Sequence, residues 1–100
     1  MVKRVKGDIN ALAPYPEEAI KGKCLLVLLE NPLGWEVSMK SVIEWFTNLT
    51  DFPIAPDTLM EGIQEAMGKI QQFGTQLNSP QMLPIYQSAK RAVADFESEF

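Results

Sequence analysis

Six consecutive apolar residues, Cys24-Leu25-Leu26-Val27-Leu28-Leu29, form the longest apolar run of the chain, and both of its flanks are marked. Upstream stand Pro16, Glu17 and Glu18; downstream stand Glu30, Asn31 and Pro32. A proline loses nothing at the first position of a helix, where its missing N–H has no partner anyway, and carboxylates favour the positive end of the helix dipole. Asn31 is an acceptable C-cap, and Pro32 cannot continue a helix. Leucine is a good helix former, and Val27 is the single β-branched residue of the run. The pattern therefore predicts a helix over residues 16–30. Ile20, Cys24, Val27 and Leu28 line one face, and Leu25 and Leu29 widen the stripe until it can meet neighbours on two sides. Such a helix belongs at the centre of a domain. The alternative is a buried strand that turns at Asn31-Pro32-Leu33-Gly34 and pairs as a β-hairpin with Trp35-Glu36-Val37.

Three further helices follow from periodicity and punctuation. Ser38 is suited to cap a helix over 39–49, with Met39, Val42, Ile43, Phe46 and Leu49 on one face and Trp45 at its edge. Pro56 and Asp57 open a third helix over 56–73, which Gly74 ends. Leu59, Ile63, Met67, Ile70 and Phe73 give that helix its apolar stripe. Gly62 and Ala66, one turn apart, permit close approach of another helix. The fourth helix spans 80–98, capped by Ser79 or begun one turn later because of Pro84, with Ile85, Tyr86, Ala89, Val93 and Phe96 inward. Residues 1–15 form a basic arm that ends in the stiff Ala13-Pro14-Tyr15-Pro16 connector; residues 1–13 alternate weakly enough to make one edge strand instead. The expected fold is all-α, a single four-helix domain around the Cys24–Leu29 segment. A chain of 100 residues buries roughly 65% of its unfolded surface and needs no staple to do so.

Charge and missing residue types narrow the chemistry. The formal net charge is −4, yet residues 1–24 hold five basic and three acidic residues, whereas residues 25–100 hold four basic and ten acidic ones. An acidic body repels nucleic acid at long range and suits a basic partner surface. The chain has no histidine, so metal sites and acid–base or nucleophilic schemes lose their commonest participant. Its one cysteine, Cys24, forbids an internal disulfide and lies in the apolar run, where burial makes a thiol inert. No glycine-rich phosphate loop is present, because Gly62 and Gly68 fall inside a helix. No apolar run approaches the ~20 residues that span a bilayer, and nothing near Met1 reads as a signal peptide. The expectation is a non-enzymatic cytoplasmic protein that takes no metal or cofactor.

What the third helix does offer is Asp57, Glu61 and Glu65, spaced by four on the face opposite the apolar stripe, with Lys69 continuing the row. Met60 lies off the stripe on the side that continues to Met67, and methionine adapts to irregular surfaces. Together with Trp45, a residue type favoured in binding hot spots, these make Asp57, Met60, Glu61, Glu65 and Trp45 the candidate partner-binding residues; the alternative for Met60 and Trp45 is packing under the N-terminal arm or the fourth helix. The order of the helix Ala19–Glu30, the connection Glu36-Val37-Ser38, the helix Met39–Leu49 and the helix Pro56–Phe73 resembles the three-helix core of winged helix-turn-helix domains. Gln72 to Pro84 stands where a wing would lie. That resemblance implies either a DNA-binding regulator, whose third helix enters the major groove, or the protein-binding use of the same core. The acidic third helix favours the second. The sequence thus points to a small acidic interaction protein that regulates or inhibits a larger partner, one with a basic surface such as a nucleic-acid-binding protein. Proteins of phages and mobile elements that occlude a host surface have this general character.

Overall fold

The structure, a computed structural model, describes residues 15–31 and 34–99, and these form four helices with no strand among them. They are α1 (Tyr15–Glu30), α2 (Trp35–Thr50), α3 (Pro56–Phe73) and α4 (Met82–Glu97). The arm and its alternative edge strand lie outside the described residues, apart from Tyr15, which is already helical.

The three other helices each pack on α1. Its apolar residues continue around the helix instead of forming a stripe, so it can bury surface in several directions at once. Ala19, Ile20, Cys24, Leu25, Val27, Leu28 and Leu29 are all buried. A fully buried side chain of this kind contributes about 1.5–3 kcal/mol. Contacts give the directions of packing. α2 runs back along α1, since Leu28 shares a cleft with Trp35 and Lys23 stands over Trp45. α3 runs in the same sense as α1, for Gly62 faces Ile20, Lys21 and Cys24 while Ile70 lies beside Leu28.

Two glycines let the backbones approach. A β-carbon on Gly62 would stand 3.1 Å from the Cys24 Sγ, and one on Gly22 would stand 2.9 Å from the Ala89 carbonyl oxygen. Gly22 therefore has a packing reason to sit inside α1 that outweighs its low helix propensity. On the remaining side, Phe46 and Phe96 stack with centroids 5.9 Å apart and planes at 6°, and Trp45 tilts against both rings.

Several expectations are corrected here. The hairpin alternative fails because residues 24–29 and 35–38 are both helical. α2 begins at Trp35, four residues before the expected cap product, and Ser38 is a buried interior residue with an amide that bonds the Gly34 carbonyl at 2.9 Å. Gly34 occupies the N-cap without a side-chain bond, which is why no cap signal marked this start. α2 ends one residue later than expected, at Thr50. The Thr50 hydroxyl donates to the Phe46 carbonyl at 2.8 Å and accepts the Phe52 amide at 3.1 Å, and Asp51 follows at φ 65°. α4 runs Met82–Glu97 instead of 80–98. Its start combines both sequence readings: Ser79 Oγ accepts the Met82 amide at 3.0 Å, as a cap does, and Pro84 lies in the first turn, where a missing N–H is harmless. The wing of the winged helix-turn-helix resemblance is absent among the described residues, since 74–81 holds turns, and α2 and α3 pack chiefly on α1 instead of on each other.

Candidate functional site

The outer side of α3 carries the candidate acidic residues, and the structure divides them. Asp57 and Glu61 are exposed, one turn apart, with no ion pair to a described residue. Glu65 turns to the other edge of the helix. It sits 3.5 Å from the Lys21 amine of α1 and 3.8 Å from the Lys69 amine. All three side chains are well hydrated, so each pair is worth about 0–1 kcal/mol, but together they tie that edge of α3 to α1.

Met60 is 48% exposed and Met67 41%. Seven residues apart, they fall on one side of α3, between its buried stripe and the crest that bears Asp57 and Glu61. Met67 was expected in the core; it instead borders a cleft of about 160 Å³ lined by Leu28, Trp35, Met67, Ile70 and Gln71. Trp35 is in register with buried Val42 and Phe46 but stands at the first position of α2, past the end of the core, and remains 48% exposed. Trp35 lies before the expected start of the second helix and entered only the hairpin alternative, so it was not among the candidate residues. The available signal was its spacing of seven and eleven residues from Val42 and Phe46.

Trp45 does not join this surface. Its indole N–H donates to the Glu97 carboxylate at 2.8 Å, its ring lies 5.7 Å from Phe96, and the Lys23 amine stands 5.5 Å from the ring centroid. These contacts commit the side chain to α1 and α4.

A second concavity, about 490 Å³, runs between α3 and α4 over Gly22. Glu18, Lys21, Glu65 and Lys69 line one side, and Ile85, Ser88 and Ala89 the other. Both signs of charge are present and partly paired, so the groove has no net preference for an anion or a cation. Burial pushes the Cys24 thiol up to about 12, so it stays protonated and unreactive. Among the described residues no group of His, Cys, Asp and Glu side chains is placed to hold a metal ion, and no helix is long and apolar enough to cross a membrane. No protein family, characterised protein or solved structure matches this chain.

Proposed function

We propose that this chain is a small non-enzymatic interaction protein of the cytoplasm that regulates or inhibits a larger protein by covering a basic surface on it. A nucleic-acid-binding partner is the kind whose surface has the matching charge. One observation carries the reading: Asp57 and Glu61 project from the crest of α3 without partners on described residues, beside the half-exposed side chain of Met60. An apolar centre with a charged rim is the usual anatomy of a protein interface. The single cysteine and the net charge of −4 agree with a reducing compartment and with repulsion from nucleic acid.

The test is affinity capture from extract of the native host, with the unmodified chain and the double variant Asp57→Lys, Glu61→Lys compared by mass spectrometry. Glu65 is left intact because it pairs with Lys21 and Lys69. The expected result is one protein with a basic surface that the variant fails to retain, while the melting temperature of the variant is unchanged. Tight binding to random duplex DNA that weakens steeply with salt would overturn the reading in favour of a DNA-binding regulator.

A further inference from the structure

The cleft between Trp35 and Met67 is lined by apolar side chains apart from Gln71, and the three helices that form it carry more carboxylates than amines. Leu28 is buried at its base, Trp35 and Met67 line it, and Met60 is a further exposed apolar side chain two turns before Met67 on the same side of α3. Its volume of about 160 Å³ matches one large apolar side chain and is too small for an element of backbone. Exposed carboxylates stand on each framing element: Glu30 at the end of α1, Glu36 beside Trp35 on α2, and Asp57 and Glu61 on α3. Against them stand Lys21 and Lys23 on α1, Lys40 on α2 and Lys69 on α3; Lys21 and Lys69 pair with Glu65, and Lys23 stands over the Trp45 ring. The C-terminal end of α1 adds the negative end of a helix dipole.

We infer that this cleft is the anchor point for a basic amphipathic helix of a protein partner, which inserts one large apolar side chain between Trp35 and Met67 and sets Lys or Arg side chains against the carboxylate rim. The inference rests on the proposed function and specifies where and how the partner is held. Amphipathic helices dock by laying an apolar side chain into a groove, and complementary charge at the rim sets orientation and association rate. A second copy of this chain fits poorly. A two-fold interface brings the same patch from each copy together, so the carboxylates Glu36, Asp57 and Glu61 of one copy would face the same acidic set of the other.

The experiment uses the full chain with labelled methionine methyl groups and a tryptophan-indole signal, titrated with a synthetic helical peptide. The peptide carries a Leu/Phe stripe on one side and Lys and Arg on the other. A control peptide has Glu in place of Lys and Arg. Saturable binding of the basic peptide is expected, with shifts centred on Met60, Met67 and Trp35, and no binding of the acidic control. Met67→Lys is expected to weaken binding about tenfold or more. If that variant does not fold, Met67→Gln keeps the shape and removes the apolar contact. Shifts centred on the groove between α3 and α4, equal binding of both peptides, or unchanged affinity in the Met67 variants would overturn the inference. Broadening of the same methyl signals with protein concentration alone would overturn it in favour of self-association. In the host capture assay, loss of the partner with the Asp57/Glu61 variant but not with Met67→Lys would leave the proposed function standing and reject this anchor. A partner retained by both variants would reject both.

Discussion

Gly22 of α1 and Ala89 of α4 meet so closely that a β-carbon on Gly22 would lie 2.9 Å from the Ala89 carbonyl oxygen and 3.4 Å from its Cα. Both obstacles are backbone, which cannot step aside as a flexible side chain can. Replacement of Gly22 by alanine therefore sets two effects against each other. Helix propensity favours alanine by about 1 kcal/mol, and forced separation of two packed helices costs about 1–3 kcal/mol. Gly22→Ala is expected to be net destabilising in urea denaturation. Gly68→Ala is the matched control, since a β-carbon there meets nothing within 4 Å, and it should stabilise by up to about 1 kcal/mol. Equal effects of the two substitutions would mean that α1 and α4 do not pack as described.

The two buried hydroxyls give opposite expectations. Ser38 is 2% exposed and its Oγ has no hydrogen-bond partner, whereas the fully buried Thr50 hydroxyl both donates and accepts. Ser38→Ala removes an unsatisfied group and should leave stability unchanged or raise it by about 1 kcal/mol. Thr50→Val keeps the volume but strands the Phe52 amide, and should cost about 1–3 kcal/mol. Chemical denaturation midpoints of the two variants on opposite sides of the parent chain are the result to look for.

The thiol of Cys24 lies under Gly62 with its pKa raised to about 12, burial outweighing a backbone hydrogen bond that lowers it. In the unfolded chain the same thiol titrates near its ordinary value of 9.0. A pKa raised on folding means that the stabilising contribution is fully present below pH ~9 and is lost as pH climbs toward ~12, because the unfolded state releases the proton first. Stability should therefore decline over that window, and Cys24→Ala should flatten this part of the profile. A disulfide reagent at pH 8 should label the folded chain only as fast as it opens; rapid labelling would show the thiol to be accessible.

How much of this was legible from the residues depends on whether the signal was local. The apolar run of α1, and Pro56 and Gly74 around α3, are local signals, and the all-helical fold follows from them. The start of α2 was not legible. Gly34 caps it without a side-chain bond, and Trp35-Glu36-Val37 alternates in a manner that suits a strand equally well. Gly22 could be recognised as a weak helix position but not as a contact, because Ala89 is distant in sequence. The candidate site divides in the same way. Spacing placed Asp57 and Glu61 on the exposed face of α3 and Met60 off its stripe, but left open whether Met60 packs under another element; it is exposed. The pairing of Glu65 with Lys21 and of Trp45 with Glu97 required the tertiary arrangement.

The last prediction separates the two residues that the sequence grouped together, Trp45 and Met60. Trp45 has its indole N–H bonded to Glu97 and its ring against Phe46 and Phe96, so truncation removes aromatic contacts and leaves Glu97 without that bond. Trp45→Ala is expected to cost about 3–5 kcal/mol, the range for loss of a large packed side chain, toward the low end because the residue is only partly buried. Trp45→Phe should recover most of the packing but not the hydrogen bond, leaving a deficit of about 1 kcal/mol. Met60 is 48% exposed, and Met60→Ala should shift stability by no more than about 0.5 kcal/mol. Binding should show the reverse order. Once a partner is in hand, Met60→Ala should weaken it by about 2 kcal/mol, the scale of an interface hot spot, while Trp45→Phe, folded under assay conditions, should bind like the parent chain. Thermal melts and titration calorimetry on the same preparations decide the matter. If Trp45→Phe loses the partner while Met60→Ala keeps it, the interface lies at the α2–α4 side and not on α3.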